Sequence, residues 1–228
     1  MSSPSVPLQR GKSDTFFLAW TTTPWTLSSN TALCVGPNIE YVLVSTFNPY
    51  THEPVQVVLA KELVKNHFGK GFVAVEDEAG LVGYDQSGKN IPFAVLGECK
   101  GSDLVGIRYE QLLPGALPHE HADQAFRVIS GDFVTTSDGT GIVHIAPTFG
   151  ADDFKVAKLN GIAALTVPDV NGNPMPLVDK QGKFVSQVTD FAGRYVKDYG
   201  QKEERSVDTD ITIKLKTENK LFVSEKYV

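Results

Sequence analysis

Thr15-Phe16-Phe17-Leu18-Ala19-Trp20-Thr21-Thr22-Thr23-Pro24-Trp25-Thr26-Leu27 is the stretch around which the remaining chain is most readily arranged. Residues 16–20 form a short apolar run suited to a strand covered on both faces. Pro24 removes a backbone donor and pushes Thr23 towards an extended conformation. The strand therefore ends where the hydroxyls begin. Three hydroxyls with their backbone N–H groups at a strand end can bind a polar ligand, orient a water or contact a phosphate without bringing any charge. The same segment, taken alone, also fits three β-formers on an exposed edge strand.

On the amino side, residues 1–14 are rich in Ser and Pro and are expected to be a flexible leader, with a single domain over residues 15–228. On the carboxyl side, Ser28-Ser29-Asn30 is a turn cluster. Strand-like segments follow at residues 31–35 and 39–46, separated by a Gly36-Pro37-Asn38 break. Leu63, Val64 and Phe68 sit at helical spacing in residues 60–68, ahead of Gly69. Residues 72–75, 80–84 and 91–97 read as short strands, residues 101–109 as a tight turn and strand, and residues 126–129 and 132–136 as further strands. So many short strands between turns predict a barrel or a sandwich. His119-Glu120-His121 with Asp123 invites a metal reading, but Pro118 argues for a loop and no further ligand pattern accompanies it.

The second informative stretch is Gly139-Thr140-Gly141-Ile142-Val143-His144-Ile145-Ala146-Pro147-Thr148-Phe149-Gly150-Ala151-Asp152-Asp153-Phe154. It reads as a turn, a buried strand, a Pro/Gly loop and the opening of a helix that runs to Leu159 and stops at Asn160-Gly161. Asp152 and Asp153 fall in the first helical turn, where the helix dipole favours a carboxylate and one of the two can act as a cap. His144, alone on an apolar strand, is more often a hydrogen-bonded core residue than a catalytic one. Its short connection to Asp153 lets both side chains line one pocket. Farther on, residues 162–167 read as a strand and residues 171–174 and 179–182 as turns. From about Gln201, Val207, Ile211 and Leu215 recur every four residues, which predicts an amphipathic helix.

The composition is that of an ordinary globular chain: 228 residues, 41% apolar and 21% charged. No apolar run approaches the roughly 20 residues needed to span a bilayer, and the first residues lack a signal-peptide pattern, so a cytoplasmic protein is expected. Cys34 and Cys99 are two thiols in apolar contexts and read as buried and reduced. A formal charge of −6 argues against a general nucleic-acid binder, so any RNA contact should be local.

Together the two stretches resemble the editing domain, connective peptide 1, of isoleucyl-tRNA synthetase in the class I aminoacyl-tRNA synthetase family. Trp20 to Leu27 with Asn30 is similar to its threonine-rich peptide, and Gly139 to Asp153 to its second motif. The related valyl and leucyl enzymes carry an Arg-Pro pair where this chain has Thr23-Pro24, and no His at the position of His144. The His-x-Gly-His and Lys-Met-Ser-Lys-Ser signatures are absent from this sequence. The resemblance is therefore to an editing domain without the ATP-binding site.

That resemblance implies a β-rich α+β fold with a closed β-barrel core and peripheral helices. It also implies hydrolysis of the ester of Val-tRNA(Ile), with valyl-adenylate left open as a second substrate, by a positioned water, with no metal and no cofactor. Thr22 and Thr23, with neighbouring amides and Thr21, would hold the terminal adenosine and orient the water or oxyanion. Asn30 would support the loop, Trp25 would bound the aminoacyl pocket, His144 would limit its depth, and Asp153 would pair with the substrate ammonium. The implied partners are the valine-bearing acceptor end of tRNA(Ile) and the remainder of the parent synthetase, with a monomer and no membrane contact. A non-catalytic module for an RNA end or an amino acid, and a metal-dependent hydrolase on His119, His121 and Asp123, are the alternatives.

Overall fold

Strands β1 (Asp14–Phe17), β2 (Ala32–Val35), β3 (Glu40–Phe47) and β4 (Pro54–Ala60) come first in the computed structural model, which describes residues 14–197 and 205–224. Most of the expected leader, residues 1–13, lies outside the described residues, as do residues 201–204 at the expected helix start. After the short helix α1 (Val64–His67) come β5 (Phe72–Ala74), β6 (Ile91–Lys100), helix α2 (Gly101–Leu104), β7 (Arg127–Ser130) and β8 (Ile142–Ile145). Helix α3 (Ala151–Leu159), the hairpin β9 (Thr166–Pro168) and β10 (Pro174–Pro176), and helix α4 (Val207–Thr217) complete the order.

β3 and β4 are nearly continuous runs of β-branched and aliphatic residues because both of their faces are covered. Along them, Tyr41, Leu43, Val58 and Ala60 enter one apolar cluster, while Val42, Val44, Val57 and Leu59 enter another. This is the period of two of a pleated strand. The five-stranded sheet, in the order β1-β4-β3-β6-β5, is therefore a middle layer. An aromatic group built on Phe68, Phe72, Phe93 and Phe222 covers one side. A three-stranded sheet, β7-β2-β8, covers the other. That second sheet alternates in turn: Leu33, Val35, Val128 and Ile142 face inward, and Ala32, Cys34, Ile129 and Ile145 face α3. A separate cluster gathers Val167 of β9, Leu177, Phe184, Phe191 and the α4 residues Val207, Ile211 and Leu215, the three spaced by four in the sequence, around Leu27.

The expectation of a closed barrel is not met. Among the described residues, β1 and β5 are the edges of one sheet and β7 and β8 the edges of the other, and no strand pairing closes either. Turn density reports the number of short strands but not whether the first meets the last, and here strands are covered by stacking layers instead of by curling. The apolar run at residues 16–20 is correspondingly half-buried, with Ala19 exposed, because β1 is an edge strand and ends at Phe17. Residues 80–84 form no strand: a 3-10 helix, Glu78–Leu81, is capped by the Asp77 carboxylate, which accepts from the N–H groups of Ala79 and Gly80. Residues 132–136 likewise pair with no strand, and residues 101–104 are helix α2.

Tyr41 ties the layers together. Its hydroxyl donates to the Gly141 carbonyl at 2.6 Å and accepts from the Gly36 N–H at 3.0 Å, and burial pushes its pKa up to about 12. Tyr41→Phe leaves two buried backbone groups without a partner and is expected to cost about 1–3 kcal/mol, or a fall of about 2–4 °C in melting temperature per kcal/mol for a chain of this size. Urea and thermal unfolding would check this; a loss under about 0.5 kcal/mol would mean that neither bond matters.

Candidate active site

The threonine-rich peptide is fixed at both ends by backbone bonds. β1 runs parallel to β4 as far as Phe17, Leu18 N–H continues the ladder to Val58 O at 3.0 Å, and Trp20 forms a parallel bridge to Val143 on the free edge of β8. Pro24 then opens a 3-10 helix, Pro24–Ser29, in which Thr26 N–H donates to Thr23 O at 3.0 Å. Proline suits this first position because it has no N–H to leave unpaired. Thr23 before it, at φ −131° and ψ 74°, is kept out of the helical region by the proline but falls short of the extended conformation expected for it. Thr21 Oγ1 accepts the Thr23 N–H at 3.0 Å, which closes the bend. The side chains of Thr22 and Thr23 are exposed, and among the described residues neither hydroxyl is bonded to protein.

Thr26 links the bend to β8. Its hydroxyl donates to Thr23 O at 2.8 Å and lies 3.3 Å from His144 Nε2. His144 pairs across the ladder with Leu33 and shares the inward face of Ile142. Burial holds its pKa below the ordinary histidine value, against a smaller opposing pull from Asp153. Asn30 is buried below the bend, where its amide donates to Ala32 O at 2.8 Å and its Oδ1 accepts from the Tyr109 hydroxyl at 2.6 Å. Burial raises the Tyr109 phenol well above its usual range, so it stays a donor. Trp25 packs edge-on against Phe149 of the β8–α3 loop, with ring centroids 4.8 Å apart.

Asp153 and Asp152 are separated by their surroundings. Asp153, half-buried, accepts the Ala146 N–H through Oδ2 at 2.8 Å, which ties the start of α3 back to the end of β8. Gly150 makes room for it, since a Cβ there would sit 2.7 Å from the Asp153 Cγ. Asp152 is exposed and pairs with Lys155 at 3.0 Å. The expected capping role is not seen: α3 has Gly150 at its N-cap with no side-chain bond. Thus Thr26 and His144 are joined directly, Trp20 is bridged to Val143, the neighbour of His144 on β8, and Asp153 is joined through the loop backbone. An open groove of about 590 Å³ flanks the bend on its other side, between Thr21, Thr22, Pro24 and Asp208, Thr209, Thr212 of α4. His144 and Asp153 do not line that groove.

Thr26, Tyr109 and Asp208 are the contributors that sequence reasoning missed. Thr26 alone carried a local signal, three residues after Thr23 in a turn. Tyr109 donates to Asn30 across 79 residues, and Asp208 accepts the Trp25 N–H across 183. His119 and His121 stay on an exposed loop, and among the described residues no group of three or more His, Cys, Asp or Glu side chains is placed to hold a metal. No helix among them is long and apolar enough to cross a membrane.

The chain is 57% identical to the isoleucine-tRNA ligase of Cytophaga hutchinsonii, over 94% of this chain and 20% of the ligase. It is 50% identical to that of Porphyromonas gingivalis, over 93% of this chain and 20% of the ligase. The chain is homologous to a segment of the isoleucine-tRNA ligases. It spans about a fifth of the length of these curated relatives. Its fold is shared with the editing domain of the P. knowlesi cytosolic leucyl-tRNA synthetase, at TM-score 0.58 and 13% identity over 90% of this chain and 82% of that one. The structure described as GlLeuRS-CP1 gives TM-score 0.54 and 16% identity over 96% and 86%. No protein-family model matches the chain.

A histidine held low by burial adds stability above its ordinary value of 6.5, and that stability is lost as pH falls through the lower folded value. The His144 ring is therefore expected to titrate below 6.5 by NMR. Between about pH 7.5 and about pH 5.5, His144→Gln should lose less unfolding free energy than the unsubstituted protein. Equal losses, or a midpoint above 6.5, would contradict this.

Proposed function

We propose that the chain, as a single domain over residues 15–228, is a post-transfer editing domain that hydrolyses the ester of Val-tRNA(Ile). The observation that carries this reading is the pair of exposed, unbonded hydroxyls on Thr22 and Thr23, at a bend joined through Thr26 to His144. Homology to isoleucine-tRNA ligases and a fold shared with editing domains support it.

An aminoacyl ester is already activated, so a positioned water can attack its carbonyl without a covalent enzyme intermediate. In this reading Thr22 and Thr23 hold the terminal adenosine and orient the water or developing oxyanion. Thr21, whose hydroxyl closes the bend, contributes there by fixing Thr23. Asn30 holds the peptide to β2 from below, and Trp25 with Phe149 bounds the aminoacyl side. Among the described residues Asp153 Oδ1 has no hydrogen-bond partner, which leaves it for the substrate ammonium while Oδ2 keeps the Ala146 N–H. His144 forms the wall that admits valine and excludes isoleucine. One methylene in an apolar pocket is worth only about 1–3 kcal/mol, a limit for which aminoacyl-tRNA synthetases are the standard case, so exclusion of the larger side chain needs such a steric wall.

The partners in this reading are the valine-bearing acceptor end of tRNA(Ile) and the rest of a parent synthetase, in the cytoplasm, with the domain itself monomeric. The formal charge of −6 gives tRNA phosphates little long-range attraction, so the acceptor end has to be delivered by that larger body.

Release of valine from Val-tRNA(Ile) tests the reading. Asp153→Ala should slow it at least about tenfold, the loss of one charge-assisted hydrogen bond, while Asp152→Ala should stay within about twofold. His144→Ala should extend hydrolysis to Ile-tRNA(Ile). Binding of the tRNA end without any release of valine would favour a non-catalytic module, and an unchanged Asp153→Ala rate would remove that carboxylate from the substrate site.

A further inference from the structure

The first N–H groups of a helix have no partner within it and are ordinarily capped by the N-cap side chain. The helix Pro24–Ser29 departs from this. Thr23, at its N-cap, makes no side-chain capping bond, and Pro24 has no N–H. The first orphan donor is the N–H of Trp25, and it donates to Asp208 Oδ1 at 2.7 Å, from 183 residues farther along the chain. Asp208 lies in the first turn of α4, whose own N-cap, Ser206, accepts the Thr209 N–H. Val207, Ile211 and Leu215 anchor that helix in the cluster that also holds Leu27. The carboxylate is thus brought to Trp25 by core packing on both sides.

We infer that Asp208 is a positioning residue for the threonine-rich peptide, capping its helix from α4 so that the Thr23 hydroxyl stays available to substrate. Had Thr23 capped its own helix, its oxygen would accept an N–H of the first turn and leave the ligand side of the bend. The inference rests on the editing reading above and adds to it a residue that acts through the Trp25 N–H and not on the reacting atoms. The same core packing holds α4, on the far side of the groove, against Pro24–Ser29.

The test compares Asp208→Ala with Asp208→Asn. Alanine is a good helix former and spares α4, and asparagine keeps an oxygen acceptor in the same position. Asp208→Ala should lower kcat for release of valine from Val-tRNA(Ile) at least about tenfold with KM changed less than about threefold, and Asp208→Asn should restore kcat to within about threefold. Exchange of the Trp25 amide proton, read by NMR, should accelerate at least about tenfold in the alanine variant and remain slow in the asparagine variant. Accelerated Trp25 exchange with kcat kept within about twofold would overturn the inference, as would unchanged exchange in Asp208→Ala. Equal loss of activity and of melting temperature in both variants would also overturn it, since the role would then be structural. If the unsubstituted protein releases no valine, the editing reading fails by itself, and Trp25 exchange still decides whether Asp208 caps the peptide.

Discussion

Two-sided burial of β3 and β4 is the constraint on which the remaining structure depends. Each fully buried Val or Leu is worth about 1.5–3 kcal/mol, and these strands commit alternate residues to two different cores. A slip of one residue would exchange the two sets and carry Tyr41 into the aromatic cluster, away from Gly36 and Gly141. Register and layering are thereby the same decision. Once it is made, the three-stranded sheet has to stack on the Tyr41 face, and the loop from Gly139 to Gly141 is drawn beneath that hydroxyl. Ala60 N–H then bonds to Thr140 O at 2.9 Å, and a Cβ on Gly141 would lie 2.5 Å from that of Ala60. Gly141 has φ +73°, so glycine serves both the conformation and the close approach.

This layering is what creates the site. β8 is an edge strand, so its outer backbone is free to receive Trp20, and the peptide that follows is laid across the end of the sheet. The closed barrel expected from turn density would have removed that edge. The error and the site therefore have one origin: the edge that the sequence pattern did not reveal is where the threonine-rich peptide attaches.

What was legible in the sequence was local. The strand around His144, the helix Ala151–Leu159 and its stop at Asn160-Gly161 follow from short-range periodicity and turn chemistry, as does the buried face of α4. The break at Pro24 was legible for the same reason, whereas the 3-10 helix Pro24–Ser29 was not, since the sequence marks only Ser28-Ser29-Asn30 as a turn. Strands at residues 80–84 and 132–136 failed because short apolar runs beside glycine do not distinguish a strand from an irregular loop; Val82 is 85% exposed. Nothing local marks Tyr109 as the donor to Asn30 or Asp208 as the acceptor for Trp25. Each lies in an ordinary strand-like or helical pattern, and its partner is set by packing between distant elements. Asp152 and Asp153 differ for the same reason: adjacent in the chain, they meet Lys155 and the Ala146 N–H respectively.

The electrostatics of the bend favour a neutral His144 for a reason beyond burial. Thr26 has one hydroxyl proton, and it goes to Thr23 O. The Thr26 oxygen is then an acceptor for His144, which assigns the imidazole proton to Nε2. Nδ1 is buried and has no hydrogen-bond partner among the described residues. A second proton there would be a buried donor without an acceptor, which adds to the desolvation that already holds the pKa down. Under the proposed editing function, whose substrate carries an α-ammonium, this state is the compatible one: an imidazolium at His144 would repel the cation and compete with it for Asp153. In that reading a neutral His144 leaves the carboxylate to the ammonium, so the hydrogen bond that His144 Nε2 donates to Thr26 would also keep Asp153 for the substrate.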